Sequence, residues 1–252
     1  MTLIWSSSVN KNLALLNDIP DYLQVKLDEV WQKTYVELYE PITDKPTSLQ
    51  DDLEEILELF QDGNRKLGHL RHVWMALILA IAVQPTIEYY QPDCSFPAET
   101  IEEITLWLLR TIEAGISSKI PPVKTLSNIS VSFSEKLEGF QVLYEALDVY
   151  VNAMKTIDRD QSLAALIDIL DDCLEGYAIF PGSDGRRDLL NWWLLDVVPA
   201  TWHLLPPSSV YVLESLPDRE KIGLEQMETL KKISSAMRLA ITESNHSQTK
   251  TA

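Results

Sequence analysis

Val73-Trp74-Met75-Ala76-Leu77-Ile78-Leu79-Ala80-Ile81-Ala82-Val83 contains no polar side chain. Over about three helical turns the run leaves no face for water, so a helix formed here must be surrounded by other chain. Crossing a bilayer takes roughly 20 apolar residues, and His69, Arg71, His72 and Gln84 close the run at its ends. It therefore reads as the middle of a buried central helix, residues 66–84, in an all-α domain. Pro85, which lacks an N–H and clashes with the preceding turn, is expected to end that helix.

Working back toward the N-terminus, Gly63-Asn64 reads as the left-handed end of a preceding helix. Its core face is Leu49, Leu53, Ile56, Leu57 and Phe60, and Ser48 with Asp51 resembles a capping box. So short a link predicts that residues 48–84 form an antiparallel helical hairpin. A further helix is expected from Asp18-Ile19-Pro20 to Pro41, with Leu23, Leu27, Val30, Trp31 and Leu38 on one stripe. Residues 1–17 read as an arm laid on the body.

Toward the C-terminus, a helix of about 18 residues ending at Gly115 carries apolar side chains on both sides. Residues 116–133 hold Pro121-Pro122 and many serines, and mark either a subdomain boundary or a long loop across one domain. Leu137, Phe140, Tyr144, Leu147, Val151 and Met154 form a narrow seam. With Leu163, Leu166, Ile167, Leu170 and Leu174 they predict a second antiparallel hairpin around Asp158. Leu189 to Val198 is an aromatic helix that Pro199 should kink or end. Val210 to Leu213 could be extended. A last helix begins near Pro217, and residues 244–252 read as a disordered polar tail. The expected architecture is all-α: about eight helices, bundle-like, in one domain over residues 1–243.

Composition narrows the function more by exclusion than by assignment. The net charge of −17 repels nucleic acid and anionic membrane, and suits solubility or a basic protein partner. Cys94 and Cys173 stand alone, with no metal-ligand spacing. No secretory leader is visible, so the expected compartment is the cytoplasm. There is no Gly-x-Ser-x-Gly elbow, no His-Glu-x-x-His, and no phosphate-loop or dinucleotide glycine fingerprint. No cofactor and no metal is expected, and the oligomeric state is not legible.

Three constellations remain. Asp51-Asp52-Leu53-Glu54-Glu55 and Asp168, Asp171 and Asp172 pair acids in the way a magnesium–diphosphate site would. In so acidic a chain, solvated helix faces explain them better. Two basic groups oppose the positive ends of helices: Arg65, His69 and His72, with Lys66 and Arg71 beside them, and Arg186 with Arg187. Together with backbone donors they could hold an anion, although ion pairing accounts for them more simply. Trp192, Trp193 and Trp202 could line a pocket or a partner surface, but such residues are more often core. The leading expectation is a non-enzymatic helical protein acting through protein–protein contact: an adaptor, an assembly factor or a neutraliser of a basic partner. The alternative is a helical protein, enzyme included, that binds a small anionic or aromatic ligand.

Overall fold

Pro85 does not end the central helix. In the computed structural model, which describes residues 18–37, 49–61, 63–114, 141–174, 186–211 and 219–249, that helix runs from Arg65 to Tyr90 with Pro85 inside it. The described residues are all-helical and contain no strand. In chain order they form α1 (Asp21–Glu37), α2 (Leu49–Leu59), α3 (Arg65–Tyr90), α4 (Phe96–Glu113), α5 (Gln141–Lys155), α6 (Ser162–Leu174), α7 and α8 (Arg219–Thr249). Helix α7 has three consecutive pieces: Arg186–Trp192, a π-helical turn Trp193–Val197, and Val198–Trp202.

A proline within a helix leaves the carbonyl four residues earlier without its donor. Here that carbonyl belongs to Ile81, and the side-chain amide of Gln226, buried on α8, donates to it. The second proline is accommodated differently. The Val198 N–H reaches back five residues to the Trp193 carbonyl, and this widened turn absorbs Pro199 within α7. Neither proline therefore terminates its helix, contrary to the expectation for Pro85.

Helix α3 packs against α4, α5, α6, α8 and the last piece of α7. Every residue from Leu70 to Val83 is buried. By length and composition α3 would suffice to cross a bilayer, but nearly all of its apolar window is already covered by the other helices. Each fully buried Leu or Ile in that run contributes about 1.5–3 kcal/mol relative to exposure. Helices α5 and α6 pack together across the turn at 156–161, as the seam pattern predicts. Helices on both sides of residues 116–133, namely α4 and α5, pack on α3 and on each other.

The first expected hairpin takes another form. Helix α2 packs chiefly against α1 and α6, and meets α3 at its C-terminal end. The chain turns at Gly63, whose φ of +72° is the left-handed conformation read from the sequence. Asn64 then caps α3 by accepting from the Lys66 and Leu67 N–H groups at 3.1 and 3.2 Å. The contact is close because residue 68 is glycine. A Cβ there would lie 2.6 Å from the Gln61 Cα. The first expected helix is described from Asp21 to Glu37, short of Pro41. The last helix continues to Thr249, into the stretch whose polarity predicts disorder. Residues 1–17, 116–133 and 212–213 lie outside the described residues.

The Pro85–Gln226 pairing can be tested with a double-mutant cycle read by denaturant unfolding. Gln226→Leu should cost about 1–3 kcal/mol by orphaning the Ile81 carbonyl. In a Pro85→Ala background, whose new N–H can reach Ile81, the same change should cost clearly less. Additive losses would mean that the amide contributes packing only.

Candidate functional site

The first turns of α3 carry basic side chains where the helix dipole disfavours them. Their partners explain why. Leu57 lies in the last turn of α2 and Phe60 just beyond it; Thr156 follows the last residue of α5; Trp202 is the last residue of α7. These are positions where helix carbonyls run out of intrahelical donors. The His69 Nε2–H donates to the Thr156 carbonyl at 2.8 Å, and the His72 Nε2–H to the Leu57 carbonyl at 2.9 Å. The Arg71 guanidinium donates from Nε to the Trp202 carbonyl at 2.9 Å and from Nη1 to the Phe60 carbonyl at 3.3 Å. Trp74, one residue group further along α3, gives its indole N–H to the Leu205 carbonyl at 2.9 Å. One stretch of α3 thus closes the C-terminal ends of three other helices.

Arg71 is the sharpest case. It is 6% exposed, and among the described residues no carboxylate pairs with it. The negative ends of α2 and α7 converge on it, and its guanidinium sits 3.5 Å over the Trp202 ring. Burial lowers its pKa to about 10, which still leaves it a cation at neutral pH. Phe60 and Tyr22 pack against the other sides of Trp202, with ring centroids at 5.8 and 6.4 Å.

The two histidines are buried and neutral. Burial lowers the His69 pKa, and brings that of His72 down to about 4 against the Leu57 carbonyl bond that favours the cation. With Nε2 protonated, the His72 Nδ1 is an acceptor, and the Ser162 hydroxyl lies 3.3 Å away. That hydroxyl has one proton, and the Arg159 carbonyl at 3.1 Å competes for it. Each imidazole thus gives its one N–H to a backbone carbonyl at the end of another helix. Arg65 and Lys66 are exposed at the start of α3. The side chains of Arg186 and Arg187 lie outside the described residues.

The acidic clusters part company with the solvated reading at two residues. Asp52 is 4% exposed and bridges two lysines of α1, Lys26 at 3.3 Å and Lys33 at 2.6 Å, while Lys26 also meets Glu55. That cluster fastens α1 to α2. In the second cluster Asp168 and Asp171 are exposed, but Asp172 is half-buried toward α5 with one carboxylate oxygen lacking a partner. Burial, followed by the charges of Asp148, Glu145, Asp171 and Asp168, pushes its carboxyl up to about 7. Among the described residues no three His, Cys, Asp or Glu side chains converge as a metal site.

The tryptophans are mostly core. Trp193 is 1% exposed and donates to the Met75 sulfur at 3.4 Å; Trp192 is buried and donates to the Ser209 carbonyl at 2.9 Å. Trp202 is half-buried and reaches the surface beside α1. Asp196, in the π-helical turn, escaped the sequence reading. It accepts from the Ser208 and Ser209 N–H groups at 2.7 and 3.2 Å and from both hydroxyls, fixing the segment after α7. Its one signal is an acid isolated among Leu194, Leu195, Val197 and Val198. Comparison with protein-family models, with curated proteins and with solved structures finds no match to this chain.

Replacing Arg71 by Lys keeps the charge but loses the fork that joins two carbonyls. Arg71→Lys should cost about 1.5–3 kcal/mol in unfolding free energy. A loss within error of zero would show that the charge alone suffices. The titrations of His72 and Asp172 oppose one another. Between pH 6.5 and about 4 the unfolded chain takes up a proton that folded His72 refuses, so this contribution falls as pH falls. Between pH 3.8 and about 7 the unfolded chain releases a proton that folded Asp172 keeps, so this contribution falls as pH rises. Asp172→Asn should therefore raise the melting temperature above pH 7 and leave it unchanged below 3.8. A gain that does not vary with pH would assign the effect to something other than this ionisation.

Proposed function

We propose that the chain is a non-enzymatic helical protein that acts in the cytoplasm through protein–protein contact, as an adaptor, assembly factor or neutraliser of a basic partner. One observation carries this reading. His69, Arg71 and His72, the basic group best placed for chemistry, are all committed to helix-end carbonyls in the interior. Recognition then falls to the surface, and the chain carries 38 acidic against 21 basic residues. An excess of that size speeds encounter with a positively charged partner and rejects polyanions. Binding of a small anion by the same group would require its guanidinium or imidazoles to exchange backbone carbonyls for the ligand, unlatching three helix ends.

The test is affinity capture from a lysate with the whole chain as bait. A basic protein should copurify in stoichiometric amount at low salt and be released as screening shortens the Debye length from about 10 Å toward about 3 Å near molar salt. A partner that is retained unchanged at high salt would point to an apolar interface and overturn the electrostatic reading; recovery of no partner would overturn the contact reading.

A further inference from the structure

We propose that the outer face of α1 is the docking surface, and that its occupant is a cationic amphipathic helix of a partner protein. The proposal rests on the protein-contact reading above and gives it a place. Leu23, Leu27 and Val30 face the core, with Ile19 just before the helix. Asp18, Asp21, Tyr22, Val25, Asp28 and Glu29 are all exposed. At 3.6 residues per turn the five from Asp21 to Glu29 fall within an arc of about 120° and along about two turns, and Asp18 lies just before the helix. Val25 is 56% exposed and Tyr22 42%, one turn apart, and Tyr22 meets the half-buried Trp202 edge-on. The result is a short apolar strip rimmed by four carboxylates.

The positive charges of α1 do not reach that rim. Lys26 and Lys33 lie on its flank, where Asp52 and Glu55 of α2 hold them. Arg71 stays beneath the Trp202 ring, tied to two carbonyls. The face therefore has Val25 at its centre and Tyr22 at the margin toward Trp202, with the carboxylates among them, which is complementary to a helix with an apolar stripe flanked by Lys or Arg. Trp and Tyr supply the anchor chemistry typical of such contacts. A second copy of the chain would bring the same four carboxylates against these, so charge disfavours self-association through this face.

The probe is a synthetic leucine–lysine peptide patterned as an amphipathic helix, its binding to the full chain read by fluorescence anisotropy. The double change Asp21→Lys/Glu29→Lys should weaken binding about tenfold or more, and Val25→Ser severalfold. Glu102→Lys/Glu103→Lys, which makes the same charge change on exposed positions of α4, should have less than a twofold effect. Circular dichroism melts establish that each variant is folded. Equal weakening by the two double changes would mean diffuse attraction to an acidic surface and overturn the site. So would undetectable peptide binding, or a dimer in sedimentation that Val25→Ser dissolves. If captured partner protein binds the α1 variants as well as the native chain, the surface is wrong and the contact reading stands. If the peptide site behaves as expected but no partner is captured, the contact reading is the one that fails.

Discussion

Helices that end inside a protein leave carbonyls without donors, and a buried carbonyl with no partner costs about 1–3 kcal/mol. Around α3 this constraint is met from one place. His69, Arg71, His72 and Trp74 lie within two turns and reach the chain at Thr156, Phe60, Trp202, Leu57 and Leu205. The arrangement reverses the usual account of charge at a helix start. Arg71, the cation among them, faces the negative ends of α2 and α7 and is bonded to both directly, while the neutral His69 and His72 give their N–H groups to the ends of α5 and α2. The apolar run from Val73 onward can then be enclosed on every side, since the helices that cover it are fixed at their ends as well as along their faces.

The same accounting holds for the bonds that α8 makes. Gln226 supplies the donor that Pro85 lacks, and the Ser234 hydroxyl donates to the Leu204 carbonyl at 3.0 Å. Leu204 has a φ of +55° and completes a left-handed helix end, with the Leu205 N–H on Ala200 and its own on Thr201. Glycine is the usual residue there, and for a leucine the conformation costs about 1–2 kcal/mol. Burial of the side chain at 5% exposure offsets that cost. Helix α8 thus reads two carbonyls that local structure cannot satisfy, which ties the last helix to the centre by specific bonds as well as by Met227, Leu230, Ile233 and Met237.

How much of this was legible follows from the range of each interaction. Periodicity is local, so the core faces of α1, α2, α5 and α6, the turn at Gly63 and the burial of the central run could be read directly. The fate of Pro85 depends on Gln226, 141 positions away by subtraction of their numbers, and no local pattern announces it. The basic group was conspicuous as charge set against the dipole of α3, but burial leaves His69 and His72 neutral, and the carbonyl ends they and Arg71 bind come from segments remote in sequence. Asp52 shows the same limit. Its place in the first turn of α2 suggested a solvated acid, whereas Lys26 and Lys33 of α1 enclose it.

The distribution of charge bears on function through the dielectric. A cation such as Arg71, enclosed by carbonyl ends and an indole face, is screened little by salt and acts at short range to hold geometry. Exposed carboxylates on α1 act over about 8–10 Å of electrolyte, weakly one by one, and matter when several face the same way. Around α1 the two are separated: Arg71 is drawn inward, Lys26 and Lys33 are held against α2, and the outer arc of α1 is left with acids around Tyr22 and Val25. A surface of that kind contributes little to stability, because its like charges repel and its apolar groups stay wet. Only a surface that covered it could gain from it, and on that ground the outer arc of α1 is the face we propose for association.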